Sequence, residues 1–347
     1  MLSHISKKIV LVGTGGTIAG SAARADDNLG YRAGQLGVEQ LLAAIPGAAC
    51  GPCEVVTEQL AQLDSKDMSF AVWRQLALRC AHWLGRDEVQ GVIITHGTDT
   101  LEETAFFLQS VLPVELLSGK PLVLTCAMRP ASARVPDGPQ NLSDAFALAL
   151  DPRARGVMAV CAGRIHGAAQ VQKVHPYRLD AFDSGDAGPM GFIEEGLVRW
   201  VNPPVCSESV PVQPAGARGR VICGVEPEVT LLEWLQLSTR WPRVEIVMNY
   251  AGASGSMVDA MLAHASHDPL RGLVVAATGN GSLHQDLEAA LLRAQAAGIR
   301  VLLATRCAYG RVLPRTDAAF PDSCGLAPVK ARVALLLELA LAKPQPR

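Results

Sequence analysis

Two short stretches of this 347-residue chain each put a threonine hydroxyl where it could attack an electrophile. The first is Val12-Gly13-Thr14-Gly15-Gly16-Thr17-Ile18-Ala19-Gly20, which follows an apolar run. Consecutive glycines let backbone N–H groups approach a developing negative charge, and Thr17 sets a hydroxyl beside them. The second is Ile93-Ile94-Thr95-His96-Gly97-Thr98-Asp99-Thr100, where Thr98 stands next to a carboxylate. A hydroxyl is too weak an acid to attack unaided and needs a base or a field. A lysine drawn into a partly buried site could act as that base, because burial lowers its pKa. Lys173 is the candidate, since only one other lysine, Lys120, lies between Lys66 and Lys330. A third stretch, Asp64-Ser65, adds a carboxylate and a hydroxyl.

Each feature alone has a plainer reading. The glycine loop could be a tight turn with a capping threonine, and Lys173 a solvated surface lysine. A dinucleotide loop fits poorly, because Gly13-x-Gly15-x-x-Ile18 lacks the third glycine. Asp26 and Asp27 also fall in a stretch without strand pattern, where an acid ending a second strand is needed.

The elements that must position these residues alternate in type. Short β-branched runs predict strands over Lys8–Val12, Glu54–Glu58, Val89–Thr95, Leu122–Thr125 and Val157–Cys161. Helical spacing runs over Val38–Ile45, Phe70–Leu84, Glu102–Leu112 and Leu142–Leu150. Strands apolar on both faces that alternate with helices predict a mostly parallel sheet covered on both sides. Thr17, Asp64-Ser65 and Thr98-Asp99 then all follow strand carboxyl ends, the edge where such sheets bind ligands. Thr100-Leu-Glu-Glu103 and Ser282-Leu-His-Gln285 both read as capping boxes. After residue 202 the chain becomes rich in proline and small polar residues. The alternation then resumes with strands over Val244–Met248, Leu273–Ala277 and Ile299–Ala304 and helices near Met257–His264, Leu283–Ala297 and Val329–Leu341. The expected organisation is α/β throughout: a larger N-terminal catalytic domain over 1–202, a linker region over 203–241 and a smaller C-terminal α/β domain over 242–347.

Composition narrows the class. Hydrophobic residues make up 49% and charged residues 18%, the opposite of a disordered chain. Lys plus Arg number 31 against 33 for Asp plus Glu, scattered without a basic stripe, so nucleic acid is not an expected partner. No apolar run approaches the roughly 18 residues of a membrane span. The apolar stretch Ile9–Val12 is too short for a secretory signal, and nine dispersed cysteines do not form a disulfide framework, so a cytoplasmic location is expected. Cys50-Gly-Pro-Cys53 has redox-type spacing but precedes a strand instead of opening a helix, and reads as a structural or occasionally oxidised loop pair. It lacks the two further ligands that zinc needs, and no metal is expected. His264 and His267 read as surface helix residues, and Glu194-Glu195 as a solvent-facing turn.

Gly13-Thr-Gly-Gly-Thr-Ile-Ala-Gly20 and Ile94-Thr-His-Gly-Thr-Asp-Thr-Leu-Glu-Glu-Thr-Ala105 resemble the two signatures of the asparaginase/glutaminase family, the bacterial L-asparaginases. The likeness extends through Ala127-Met-Arg-Pro130, Asp137-Gly-Pro-Gln-Asn-Leu142, Gly188-Pro-Met-Gly-Phe192 and Gly279-Asn-Gly-Ser282. The resemblance implies a flavodoxin-like N-terminal domain, and a homotetramer built as a dimer of dimers with sites at the dimer interface. The implied reaction is hydrolysis of L-asparagine to L-aspartate and ammonia through an acyl-enzyme, without cofactor. By the same resemblance Thr17 is the nucleophile, Tyr31 assists it from a mobile loop, and Thr98, Asp99 and Lys173 form a second triad. Asp64 and Ser65 would hold the α-amino and α-carboxylate groups of the substrate, with Asp99 helping at the amine.

Three departures bear on selectivity. Lys66 stands where many members carry glutamine. Ser282 occupies a position that is asparagine in asparagine-selective members and serine in members that also take glutamine. No glutamate lies between Arg306 and Gly325, where some members supply one to a neighbouring subunit, and Asp317 is the nearest carboxylate. The alternatives are a glutaminase-asparaginase of mixed specificity and a non-catalytic amino-acid or nucleotide binding protein. The amidotransferase subunit that shares the fold is disfavoured, because its additional N-terminal domain has no counterpart before Gly13.

Overall fold

The computed structural model describes residues 7–204, 230–264 and 268–342. Two compact units divide the chain, the break falling within 205–229.

The first unit is built on a sheet whose central strands are almost entirely shielded from water. In chain order its elements begin with β1 (Lys8–Gly15), α1 (Val38–Ala43), β2 (Glu54–Leu63), α2 (Phe70–Leu84), β3 (Val89–Thr95), α3 (Leu101–Val111), α4 (Val114–Leu117), β4 (Pro121–Thr125), α5 (Gly138–Leu150) and β5 (Gly156–Cys161). They end with β6 (Arg164–Gly167), β7 (Gln172–Lys173), β8 (Phe182–Asp183), β9 (Gly191–Glu194) and β10 (Leu197–Trp200). The large sheet runs β10-β9-β6-β5-β4-β3-β1-β2. Strands β2, β1, β3, β4 and β5 are mutually parallel, in register at pairs such as Ile9↔Val55, Leu11↔Ile93 and Ile93↔Val123. The order 2-1-3-4-5 is that of flavodoxin-like doubly wound sheets. Beyond β5 the sheet turns antiparallel through β6, β9 and β10.

Period-two alternation sends successive residues of β1 to opposite faces. Ile9 and Leu11 join Ile93, Val123 and Met158 in a core closed by Val38 and Leu41 of α1 and by Leu142, Ala145, Phe146 and Ala149 of α5. Val10, Val12, Val92 and Ile94, fully buried as well, line the other face, where α2 and α3 pack. There the Trp73 indole N–H donates to the Thr104 hydroxyl at 2.9 Å and its ring stacks on Phe107 at 4.7 Å, tying α2 to α3.

The second unit contains α6 (Leu231–Leu237), β11 (Arg243–Met248), α7 (Ser256–Ala263), β12 (Leu270–Ala277), α8 (Gln285–Ala296), β13 (Arg300–Thr305) and α9 (Pro328–Leu341). Its three strands are parallel in the order β11-β12-β13. Val247, Leu273, Val275, Val301 and Leu303 pack with Val258 of α7 and with Leu287, Ala290, Leu291 and Ala294 of α8. Helix α9 packs on the sheet as well, Leu335 lying over Gly272.

Several local expectations change. β1 continues past Val12 to Gly15, because the glycines keep pairing with β2. Segment 164–200 holds five short strands where no strand is predicted, and Glu194-Glu195 forms the exposed tip of the β9–β10 hairpin. Helix α6 lies inside the stretch expected to be linker, and the rest of that stretch, 205–229, lies outside the described residues. His264 caps the end of α7 and is exposed, whereas His267 lies outside the described residues.

Candidate active site

Strands β1 and β3 are neighbours, and the chain leaves them in opposite directions across the sheet, to β2 on one side and β4 on the other. Their carboxyl ends therefore open the crevice in which doubly wound sheets bind ligands. Thr17 follows β1 and Thr98 follows β3, so both hydroxyls stand at this switch point.

Two glycines let the loops touch. Gly16 has φ 82°, a region that side chains disfavour, and a Cβ added there would meet the Cα and N of Gly97 at 2.4 Å. A Cβ added on Gly97 would in turn strike the Ser65 hydroxyl at 2.4 Å. The loops after β1 and β3 thus meet backbone to backbone, and the Ser65 side chain of the loop after β2 packs against Gly97. The Ser65 hydroxyl accepts the Asp99 N–H at 3.1 Å, and the Ser65 carbonyl accepts the Thr100 hydroxyl at 2.8 Å. This last bond removes the expected capping box at the start of α3. Thr100 occupies the N-cap position, but its side chain is spent on Ser65 and makes no cap bond.

Each threonine has its own partner. Thr17 Oγ1 lies 2.6 Å from Tyr31 Oη, and Thr17 is buried. Lys173 Nζ, on the two-residue strand β7, donates to Thr98 Oγ1 at 2.9 Å and to Asp99 Oδ1 at 2.5 Å. Its side chain retains 16% of its exposure and that of Asp99 52%, so the ammonium is shielded while the carboxylate faces outward. Lys173 is no solvated surface lysine. Asp64 is half-buried and caps a turn of 3-10 helix, accepting the Lys66 N–H at 3.3 Å. The Lys66 ammonium pairs with Asp67 and sits 3.9 Å from Asp64 Oδ2, and its hydrogen bond to the Asp67 carboxylate raises its pKa. His96, at the head of the Thr98 loop, is fully buried, and desolvation lowers its pKa to about 4. A carbonyl can only accept, so the contact of 2.7 Å to Gly97 O makes Nδ1 the protonated nitrogen of a neutral ring.

The arrangement offers two hydroxyl–partner pairs, an outward carboxylate and close-set backbone, the parts that acyl transfer by a hydroxyl nucleophile uses. Among the described residues no group of three or more metal-ligating side chains occurs. Residues 8–206 match the family model described as asparaginase, N-terminal, and residues 243–346 match the glutaminase/asparaginase C-terminal domain. The chain belongs to the asparaginase/glutaminase family. It is 33% identical to L-asparaginase 2 of Bacillus subtilis over 95% of this chain and 82% of that protein. It is 32% identical to the glutaminase-asparaginase of Pseudomonas fluorescens, over 97% and 87%. The crystal structure of a probable cytoplasmic L-asparaginase from Campylobacter jejuni aligns with TM-score 0.81 and 32% identity, covering 97% of this chain and 96% of that one.

The residues that brace these loops carry no signal in the sequence, and Tyr31 and Ser282 are reached only through the family resemblance. Tyr31 rides on an excursion closed by the Ser21↔Arg32 bridge and pinned at its base by Gly34 N–H to Gly16 O and Gln35 N–H to Ala19 O. Ser132 accepts the Ala22 N–H at 2.8 Å, and the Ala131 and Arg134 N–H groups donate to Gly20 and Ala25. Asp137 in turn holds that bracing loop by accepting the Met128 and Arg129 N–H groups, each at 2.9 Å. Glu102 Oε1 accepts the Lys173 N–H at 3.3 Å and so braces the strand that carries the amine. Asp137 follows a loop in the sequence and carries no spacing signal of its own. Ser282 belongs to the second unit, exposed, in a two-residue bridge with Thr278 at the carboxyl end of β12. It caps no helix: α8 starts at Gln285 and His284 is its N-cap, Nδ1 accepting the Asp286 N–H.

Proposed function

We propose that the chain hydrolyses the side-chain amide of L-asparagine to L-aspartate and ammonia. The observation that carries this reading is the pairing of two hydroxyls with two separate partners, Thr17 with Tyr31 and Thr98 with Lys173, on loops in backbone contact. Thr17 Oγ1 attacks the amide carbon as its proton passes through the Tyr31 hydroxyl towards the amide nitrogen. Backbone donors of the glycine-rich loops hold the tetrahedral oxyanion, and the nitrogen leaves as ammonia after taking up a proton. Water then cleaves the ester on Thr17, one of its protons relayed along the Thr98–Lys173–Asp99 chain while Thr17 Oγ1 regains a proton through the Tyr31 hydroxyl. Asp64 and Asp99 face the substrate α-ammonium and Ser65 its α-carboxylate. Every bond is made or broken by protein groups and water, so the reaction calls for no cofactor.

L-Glutamine is a second substrate in this reading, on the strength of Ser282 and of the relative named glutaminase-asparaginase. Residues 1–202 form the catalytic domain, 203–241 the linking region and 242–347 the smaller domain. The working enzyme is a cytoplasmic homotetramer, a dimer of dimers. Ammonia release from L-asparagine and L-glutamine, measured side by side on the wild-type chain, tests the reading. Release from asparagine supports it, and the glutamine rate reports what Ser282 permits. No ammonia from either amide would overturn it in favour of a binding protein that keeps the pocket.

A further inference from the structure

Cys126 and Cys161 are thiols buried in the first unit, at 1% and 4% exposure, with their sulfurs 3.0 Å apart. Cys161 is the last residue of β5, and Cys126 is one residue beyond β4. The strands are parallel and in register through Thr125↔Val160, so the next pair along the ladder is Cys126 and Cys161, side chains on one face. Neighbouring strands lie about 4.8 Å apart, inside the Cα separation that a disulfide tolerates. The frame around them is already fixed. The Thr125 hydroxyl donates to Val160 O at 2.9 Å, while Asn141 donates to Cys126 O at 2.9 Å and accepts the Ala162 N–H at 3.0 Å. Closing the bond requires the sulfurs to approach by about 1 Å.

We propose that Cys126 and Cys161 are a modification site, a dithiol that a disulfide-class oxidant converts to an internal cross-strand disulfide stapling β4 to β5. Atoms and electrons balance with a small-molecule disulfide such as oxidised glutathione. One cysteine thiolate attacks the oxidant's S–S bond and releases one glutathione thiolate, leaving a mixed disulfide. The second cysteine thiolate attacks the protein sulfur of that mixed disulfide and releases the other glutathione. Two electrons pass from the protein sulfurs to the oxidant, and the two cysteine protons go to the released thiolates. Burial raises the Cys126 pKa and closes both thiols to solvent, so the exchange proceeds while the chain folds or when this edge opens. The staple sits beside the catalytic edge without entering it. Thr125, the residue before Cys126, accepts the His96 N–H at 2.9 Å, and Thr98, Asp99 and Lys173 hydrogen-bond to one another and to neither sulfur.

The test is to refold the full chain from denaturant in a reduced/oxidised glutathione buffer, then map peptides without reduction after alkylating free thiols. The expected result is a linked Cys126–Cys161 peptide pair and a melting temperature at least about 5 °C above that of the fully reduced chain. The rise should be absent in Cys161→Ala and Cys161→Val, and specific activity should match the reduced protein. Separate alkylation of Cys126 and Cys161, a bridge confined to Cys50 and Cys53, or a stable glutathione adduct on Cys126 would each overturn the proposal. If refolding yields are low, native protein incubated with oxidised glutathione just below its melting temperature is mapped the same way. Absence of the linked pair there refutes it equally.

Discussion

His96 offers a stability prediction that follows from burial alone. The ring is fully buried and neutral, and its pKa falls to about 4 from an ordinary value of 6.5. Between those values the unfolded chain binds a proton that the folded chain refuses. Acid therefore favours unfolding, and this contribution to stability is complete above pH 6.5 and is lost as pH falls towards 4. Each pH unit of separation corresponds to about 1.4 kcal/mol, so about 1.4 kcal/mol disappears by pH 5.5 and about 3 kcal/mol by pH 4. Carboxylates also titrate in acid, so the clean measurement is a difference. His96→Asn keeps an amide donor for Gly97 O but cannot titrate. Urea unfolding of both proteins at fixed concentration, from pH 7.5 to 4, should give curves that converge in acid, the wild type losing its extra stability. Parallel curves would mean that His96 titrates alike in the folded and unfolded chains, and would refute the argument.

Four further outcomes follow from the geometry. Lys173→Met should lower turnover of asparagine on the order of a thousandfold, the scale of a lost proton-transfer group, with a melting temperature close to wild type; activity above a tenth of wild type would contradict its role. Gly97→Ala should cost about 1–3 kcal/mol in chemical denaturation and most of the activity, because its Cβ has no room against Ser65. Gly119→Ala, whose Cβ would meet nothing within 4 Å, should change stability by less than about 0.5 kcal/mol. Lys66→Gln should lower KM for asparagine about two- to fivefold with kcat unchanged, by removing a cation that competes with the substrate ammonium for Asp64; an unchanged or higher KM would remove Lys66 from the binding account.

The parallel strands are legible because each is apolar on both faces, and the helices between them carry the 3.6-residue spacing that packs on such a sheet. That pattern also places Thr17, Asp64-Ser65 and Thr98 at one edge. It fails where structure is set by distant partners. Segment 164–200 folds into strands of two to four residues, too short for alternation to stand out from loop sequence. Lys173 rides on one of these, so scarcity of lysine pointed to it but spacing could not. Thr100 illustrates the same limit from the other side. Its local sequence spells a cap, yet a partner 35 positions away takes the hydroxyl. Tyr31 and Ser282 came from resemblance to the family, with no physical pattern of their own, and Asp137 and Ser132 act only by bracing a loop.

The central claim is that the Thr17 hydroxyl attacks the amide carbon, and the most direct test is ammonia release from L-asparagine by Thr17→Ala against wild type and Thr98→Ala. The account predicts a loss of at least about a thousandfold in Thr17→Ala, with its melting temperature within a few degrees of wild type. Turnover near the wild-type rate in Thr17→Ala would contradict the account, and a loss confined to Thr98→Ala would move the nucleophile to the threonine held by Lys173.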